Sequence, residues 1–247
     1  MGWQINRLVS DLLEFSPRLY VAIQRYRYRK AKHMVEKRIV SESSEIMIEG
    51  YPRCANSFAV RAFRHANDRN KQMKIATHLH SPAHIALAVS YGVPTVVLIR
   101  HPDGAVLSKL AKLVEFGERG MEIARLTEDQ IALLVSYHTS RYANFYNYLG
   151  SLAQKFVASD FEETTHDFGA VITRVNSMYK TKFKLFEHTE GNVKSIFEAS
   201  GSHLSPSLER EEYKELFKAK YLSEGNAKNR QKALDAYEKF KKVNHVN

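Results

Sequence analysis

The segment Ile46-Met47-Ile48-Glu49-Gly50-Tyr51-Pro52-Arg53-Cys54-Ala55-Asn56-Ser57-Phe58 runs from a short apolar stretch, through Gly50 and Pro52, into a helical pattern that continues to His65. It reads as strand, tight loop and helix. A loop leaving a parallel strand and opening a helix presents unpaired backbone N–H groups at the positive end of the helix dipole, which is what holding a phosphate requires. Against the nucleoside-triphosphate pattern G-x-x-x-x-G-K-[ST], Gly50 and Ser57 fit, but Ala55 replaces the second Gly and Asn56 the Lys. An ordinary ATP or GTP loop is therefore disfavoured. A phosphatase loop, C-x5-R, fails on spacing, because Val60 stands six residues past Cys54.

On either side of this segment, strands and helices alternate. Lys74 to Leu79 is a second strand candidate, Pro82 to Tyr91 a helix that stops at Gly92, and Thr95 to Ile99 the most apolar strand. Helical patterns follow from Asp103 to about Phe116 and from Glu128 to Leu149, and Lys155 to Phe161 is a fourth strand candidate. The remainder reads as charged helices near Asp167 to Tyr179, Asn192 to Ala199, Pro206 to Tyr221 and Ala227 to Lys241. Unbroken apolar strands separated by helices imply a mainly parallel sheet covered on both faces, a three-layer α/β/α fold of P-loop-like type. A ligand site then belongs at the ends of the strands that carry Gly50 and Arg100.

The loop has the form of Y-P-K-S-G-T-T-W: Tyr51, Pro52 and Ser57 match directly, with Arg53, Cys54 and Phe58 in place of Lys, Ser and Trp. Here the chain resembles the superfamily of sulfotransferases that use 3′-phosphoadenosine 5′-phosphosulfate (PAPS). In that family a later strand ends in Arg, and a Ser eight positions on joins it at the cofactor's 3′-phosphate; Arg100 after Val96-Val97-Leu98-Ile99, with Ser108, has this spacing. A planar two-pronged cation and a hydroxyl suit a phosphate monoester. Thr77-His78-Leu79 resembles the segment K-T-H-L-P, whose His is a general base in many members, and Val157 to Glu163 is loosely similar to the Y-E-D-L strand end. The match runs from about Ile46 to Glu163. Ala76 and Ala55 depart from the pattern, and the carboxy-terminal R-K-G-x-x-G segment is not recognisable; Gly225-Asn226-Ala227-Lys228 is either its remnant or a helix start.

The resemblance implies in-line transfer of a sulfuryl group from PAPS to a hydroxyl or amine, with no metal. Arg53 would stabilise charge on the leaving oxygen and His78 would act as base. Backbone N–H groups from Cys54 through Ala55, Asn56 and Ser57 to Phe58, with the Ser57 hydroxyl, would hold the 5′-phosphate, and Arg100 with Ser108 the 3′-phosphate. Plainer readings stand beside these. Arg100 is also close enough in sequence to pair with Asp103, Phe58 fits a core aromatic as well as an adenine platform, and His78, His80 and His84 have no neighbouring carboxylate or cysteine in sequence to complete a metal site.

The chain has 247 residues and a formal charge of +10, which points to acidic partners. Residues 1–40 carry +6 of it and read as a basic helical extension broken near Pro17, ahead of a single domain at 41–247. That extension is either a helix packed on the domain with a solvated basic side, or a peripheral membrane or polyanion contact. The only cysteine is Cys54, so no internal disulfide forms and a reducing cytoplasm is the expected location. No run approaches the roughly 18 apolar residues of a spanning helix, and Asp11, Glu14 and Arg18 interrupt any signal-peptide pattern. A carbohydrate is the expected acceptor, and nucleic acid is not expected. The rivals are a P-loop kinase-like phosphotransferase and a catalytically silent module of the same fold that binds an anion or glycan.

Overall fold

A computed structural model of the chain describes residues 16–31, 38–68, 72–115, 126–198 and 208–246. Residues 1–15 and 32–37 of the expected basic extension lie outside the described residues. The elements in chain order are α1 (Pro17–Arg27), β1 (Ile46–Gly50), α2 (Asn56–Asn67), β2 (Ile75–Ala76), α3 (Pro82–Ser90), β3 (Thr95–Ile99), α4 (Pro102–Glu115), α5 (Glu128–Leu149), β4 (Val157–Asp160), α6 (Phe161–His166), α7 (Phe168–Tyr179), α8 (Glu190–Glu198), α9 (Leu208–Leu222) and α10 (Glu224–Val243).

The four strands form one parallel sheet in the order β2-β1-β3-β4. β1 and β3 are buried along their whole length, as strands covered on both faces must be. Helices α2, α6, α7 and α8 form one layer, and α3, α4, α5, α9 and α10 the other, giving three layers. From β1 the chain crosses through α2 to β2, and from β3 through α4 and α5 to β4, so these connections leave in opposite directions. That divergence opens a crevice at the carboxyl ends of β1 and β3. The loop after Gly50 and the turn at Arg100 both emerge there.

Gly50 permits this closeness. It sits opposite Leu98 in the β1–β3 register, and a Cβ added to it would lie 2.3 Å from the Leu98 carbonyl oxygen. Gly50→Ala therefore forces the two central strands apart at the mouth of the site. We expect a loss of about 1–3 kcal/mol in urea unfolding, and an unchanged midpoint would show that the strands do not approach as described.

α1 begins with Pro17 in its first turn and buries Tyr20 and Val21 against the core beside α3. Arg25 donates to the Val40 carbonyl at 3.1 Å, while Leu19 and Tyr26 face solvent among Arg18, Arg27 and Arg29. Among the described residues, no helix is long and apolar enough to cross a membrane.

The second strand is shorter than the expected Lys74–Leu79. His78 and His80 have φ of 60° and 52°, and a left-handed backbone cannot continue a ladder. The chain instead winds across the ends of β1 and β2, which sets the two histidines at the crevice.

Candidate functional site

The loop between β1 and α2 turns through two left-handed residues, Arg53 at φ 71° and Ala55 at φ 65°. Each costs on the order of 1 kcal/mol for a side chain other than glycine. The strain is held by contacts from several elements. Asn56 Nδ2 donates to Tyr51 O at 3.0 Å across the turn, and Tyr51 N–H reaches Tyr146 Oη at 3.4 Å. Tyr146 in turn donates to Leu98 O at 2.8 Å, and Tyr142 to Arg100 O at 2.6 Å, so α5 props both rims of the crevice.

Ala59 N–H to Ala55 O, at 3.0 Å, is the first bond of α2. The N–H groups of Asn56, Ser57 and Phe58 precede it and have no partner within the helix. Cys54 departs from the expected phosphate set: its N–H closes the turn onto Tyr51 O at 3.3 Å, and its side chain is fully buried with Sγ 3.4 Å from Tyr146 Oη. Burial pushes its thiol up to about 12, so it is inert as a nucleophile. Phe58 also departs from the adenine-platform expectation. Its ring is 3% exposed and enclosed by Phe186, His188 and Phe197, so it serves as a core aromatic here.

Arg53, Arg100 and Ser108 meet, but in a different pairing from the one expected. Arg53 Nε donates to Ser108 Oγ at 2.9 Å, and Arg100 Nη1 donates to the Arg53 carbonyl at 3.3 Å. Arg53 thus meets Ser108 through its side chain and Arg100 through its carbonyl. Arg100 does not pair with Asp103: its guanidinium lies 4.0 Å over the Phe161 ring, and Asp103 accepts from Tyr221 Oη at 2.7 Å. Gly104 leaves room for this, since a Cβ there would come within 2.8 Å of Arg100 Nε. Burial, with Arg210 and Arg100 as neighbouring cations, lowers the Arg53 guanidinium below its ordinary value, and burial also lowers Arg100. Two half-buried cations of this kind are relieved by an anion placed between them.

His78 lies across the mouth of the loop with Nε2 at 3.1 Å from Ser57 Oγ and Nδ1 at 2.9 Å from Thr77 Oγ1. Burial, then the nearby His80, push it down to about 4, against a smaller opposing pull from Glu49, while Arg38 and Lys112 add to the lowering. The ring is neutral at physiological pH. A histidine whose folded pKa lies below its unfolded value charges more readily when unfolded, so stability falls as pH drops from about 6.5 to about 4. His78→Asn keeps a residue that tolerates positive φ and removes the titration. Urea midpoints measured across that window should flatten in this variant, and an unchanged slope would remove His78 as their source.

Sequence reading missed the carboxylate beside the histidines. Glu49 is completely buried; it accepts from Leu79 N–H at 2.8 Å and lies 3.2 Å from His80 Nδ1 and 3.5 Å from His84 Nδ1. Burial alone would raise its pKa, but the two imidazoles outweigh it and hold the carboxyl well below its ordinary value. Val40 N–H donates to His84 Nε2 at 2.9 Å, which leaves the His84 proton on Nδ1, facing the carboxylate. An acid inside an otherwise apolar strand is the one sign of this cluster in the sequence. Among the described residues, no group of three or more His, Cys, Asp or Glu is placed to hold a metal ion.

The carboxy-terminal helices add a second missed element. Gly225 to Lys228 is a helix start, with Asn226 N–H bonded to Ser223 O at 3.0 Å, and not a cofactor loop. What this region brings to the site is Arg210, 3% exposed, bonded through Nε and Nη2 to Glu115 of α4 at 2.7 and 2.9 Å and acting as a cationic neighbour of Arg53. No family model matches the chain, and no curated protein or solved structure is significantly similar to it.

Proposed function

We propose that the chain is a sulfotransferase that moves a sulfuryl group from PAPS to a hydroxyl or amine, with a carbohydrate as the leading acceptor class. The observation that carries this reading is the pair of half-buried cations, Arg53 and Arg100, set beside the open N–H groups at the start of α2 in the crevice between β1 and β3. A strained loop, a helix start and two guanidiniums make a donor set for a doubly phosphorylated nucleotide.

PAPS supplies the sulfuryl group and leaves as adenosine 3′,5′-bisphosphate. Asn56, Ser57 and Phe58 N–H groups hold the 5′-phosphate end, and Arg53 stands where charge builds on the bridging oxygen. Arg53 remains a cation that does not surrender its proton, so it acts by electrostatics alone. Arg100, with Ser108 beneath Arg53, faces the 3′-phosphate. His78, neutral and at the rim, accepts the acceptor's proton.

The same reading places the protein in a reducing compartment, where the lone buried Cys54 needs no partner. The exposed basic side of α1, with Leu19 and Tyr26, is its peripheral contact with anionic lipid.

The test is incubation with sulfur-labelled PAPS and a panel of polysaccharides, small alcohols and amines. Label should pass to one acceptor class, and transfer should fall about 10²- to 10³-fold in Arg53→Gly. Release of γ-phosphate from ATP to the same panel, with none from PAPS, would contradict the reading.

A further inference from the structure

Three hydroxyl and ring protons around His78 have directions that heavy-atom geometry fixes. Thr77 is buried and its single hydroxyl proton goes to the Ile48 carbonyl at 2.7 Å. Its oxygen also meets His78 Nδ1 at 2.9 Å, and with the threonine proton committed, Nδ1 must be the donor. The neutral ring then carries a bare Nε2. Ser57 Oγ is 3.1 Å from it, so the serine hydroxyl donates and covers the one basic nitrogen of the ring.

Ser57 likewise has only one proton. It stands in the first turn of α2, among the N–H groups that have no partner within the helix. An anion seated there offers a charged oxygen, and a bond to a charged acceptor is roughly twice as strong as one to a neutral acceptor. The hydroxyl cannot serve both partners.

We infer that the Ser57 proton is exchanged between His78 and the donor: it caps Nε2 while the loop holds no anion, and a phosphate oxygen at the start of α2 draws it away and exposes Nε2 to the acceptor hydroxyl. Thr77 is the positioning residue that keeps the proton on Nδ1 and Nε2 free. The inference rests on the sulfotransferase reading in one respect, that the anion is a nucleotide phosphate. It makes base availability depend on donor occupancy, so the donor binds before the acceptor and the unloaded enzyme does not deprotonate acceptors. The charged and titratable groups facing the ring are His80, Glu49, Arg38 and Lys112.

Nitrogen-15 spectra of histidine-labelled full-length protein read both ring nitrogens directly. Free protein should show His78 with a protonated Nδ1 and a hydrogen-bonded, unprotonated Nε2. Saturating adenosine 3′,5′-bisphosphate should move Nε2 toward the unbonded position without changing the tautomer, and Ser57→Ala should show that shift with no nucleotide present. Thr77→Val should give a mixed tautomer, and Thr77→Ser should restore the single one, which separates positioning from a folding defect. A protonated Nε2 in free protein would overturn the proposal. Bound bisphosphate with an unmoved Nε2 would overturn the exchange alone, whereas bisphosphate that does not bind overturns the donor reading and the exchange together.

Discussion

Arg53→Gly is expected to lower sulfuryl transfer about 10²- to 10³-fold, the loss seen when a fixed donor is removed from developing charge, while leaving unfolding within about 1 kcal/mol of the parent. The two halves of this expectation have separate causes. Arg53 has φ 71°, a conformation glycine adopts freely, so the substitution relieves backbone strain that offsets the lost bond to Ser108. What disappears without compensation is the guanidinium that donates to Ser108, while the Arg53 carbonyl that accepts from Arg100 stays in place. Initial rates with labelled PAPS, beside urea unfolding of the same preparation, check both. Retained transfer would place the catalytic charge elsewhere. Arg53→Lys should fall between the two, because it keeps the charge and loses the planar fork.

Arg210→Ala should destabilise the protein by about 1–3 kcal/mol, because it removes a two-pronged, charge-assisted link between α9 and α4 from a largely buried setting. Glu115 stands on α4, and Arg210 answers it with two bonds from α9. The double variant Arg210→Met/Glu115→Leu removes both charges and should recover most of the loss. Urea unfolding of the three variants forms a cycle. Equal destabilisation in single and double variants would mean that the ion pair itself is not what holds α9 to α4. The single variant Arg210→Ala should also weaken binding of an anion at the loop, since it removes one of the cations bearing on Arg53 and keeps the acid of Glu115.

The sheet was legible because its central strands leave no room for ambiguity. Thr95 to Ile99 is an uninterrupted β-branched and leucine run, and it is buried at every position. The long helix from Glu128 to Leu149 was legible from the spacing of Ile131, Leu134, Val135 and Tyr142, all of them buried. The second strand was read too long, because nothing in Thr77-His78-Leu79-His80 signals that two histidines take up a left-handed backbone; that conformation is imposed by Glu49 and Ser57 from elsewhere in the chain. The helix over Phe161–His166 was missed for a related reason. It is six residues long, and its start rests on a single cap from Asp160 to Glu163 N–H.

Of the candidate site, the loop after β1 and the place of Arg100 at the end of β3 were readable, since local spacing carries them. The partners were not. Arg53 bonds to Ser108 across 55 positions and Arg210 to Glu115 across 95, and such pairs are decided by packing of whole elements. Phe58 shows the same limit. Its place in the sequence fits a stacking platform, while Phe186 and Phe197 from the far side of the chain close over it.

Titration calorimetry of the purified chain with adenosine 3′,5′-bisphosphate, adenosine 5′-monophosphate and magnesium-ATP tests the donor site most directly. The account predicts clear preference for the bisphosphate, and a loss of about tenfold or more in Arg100→Ala, as expected when a charge-assisted bond to phosphate is removed. Preference for magnesium-ATP, or no binding to any of the three, would contradict it.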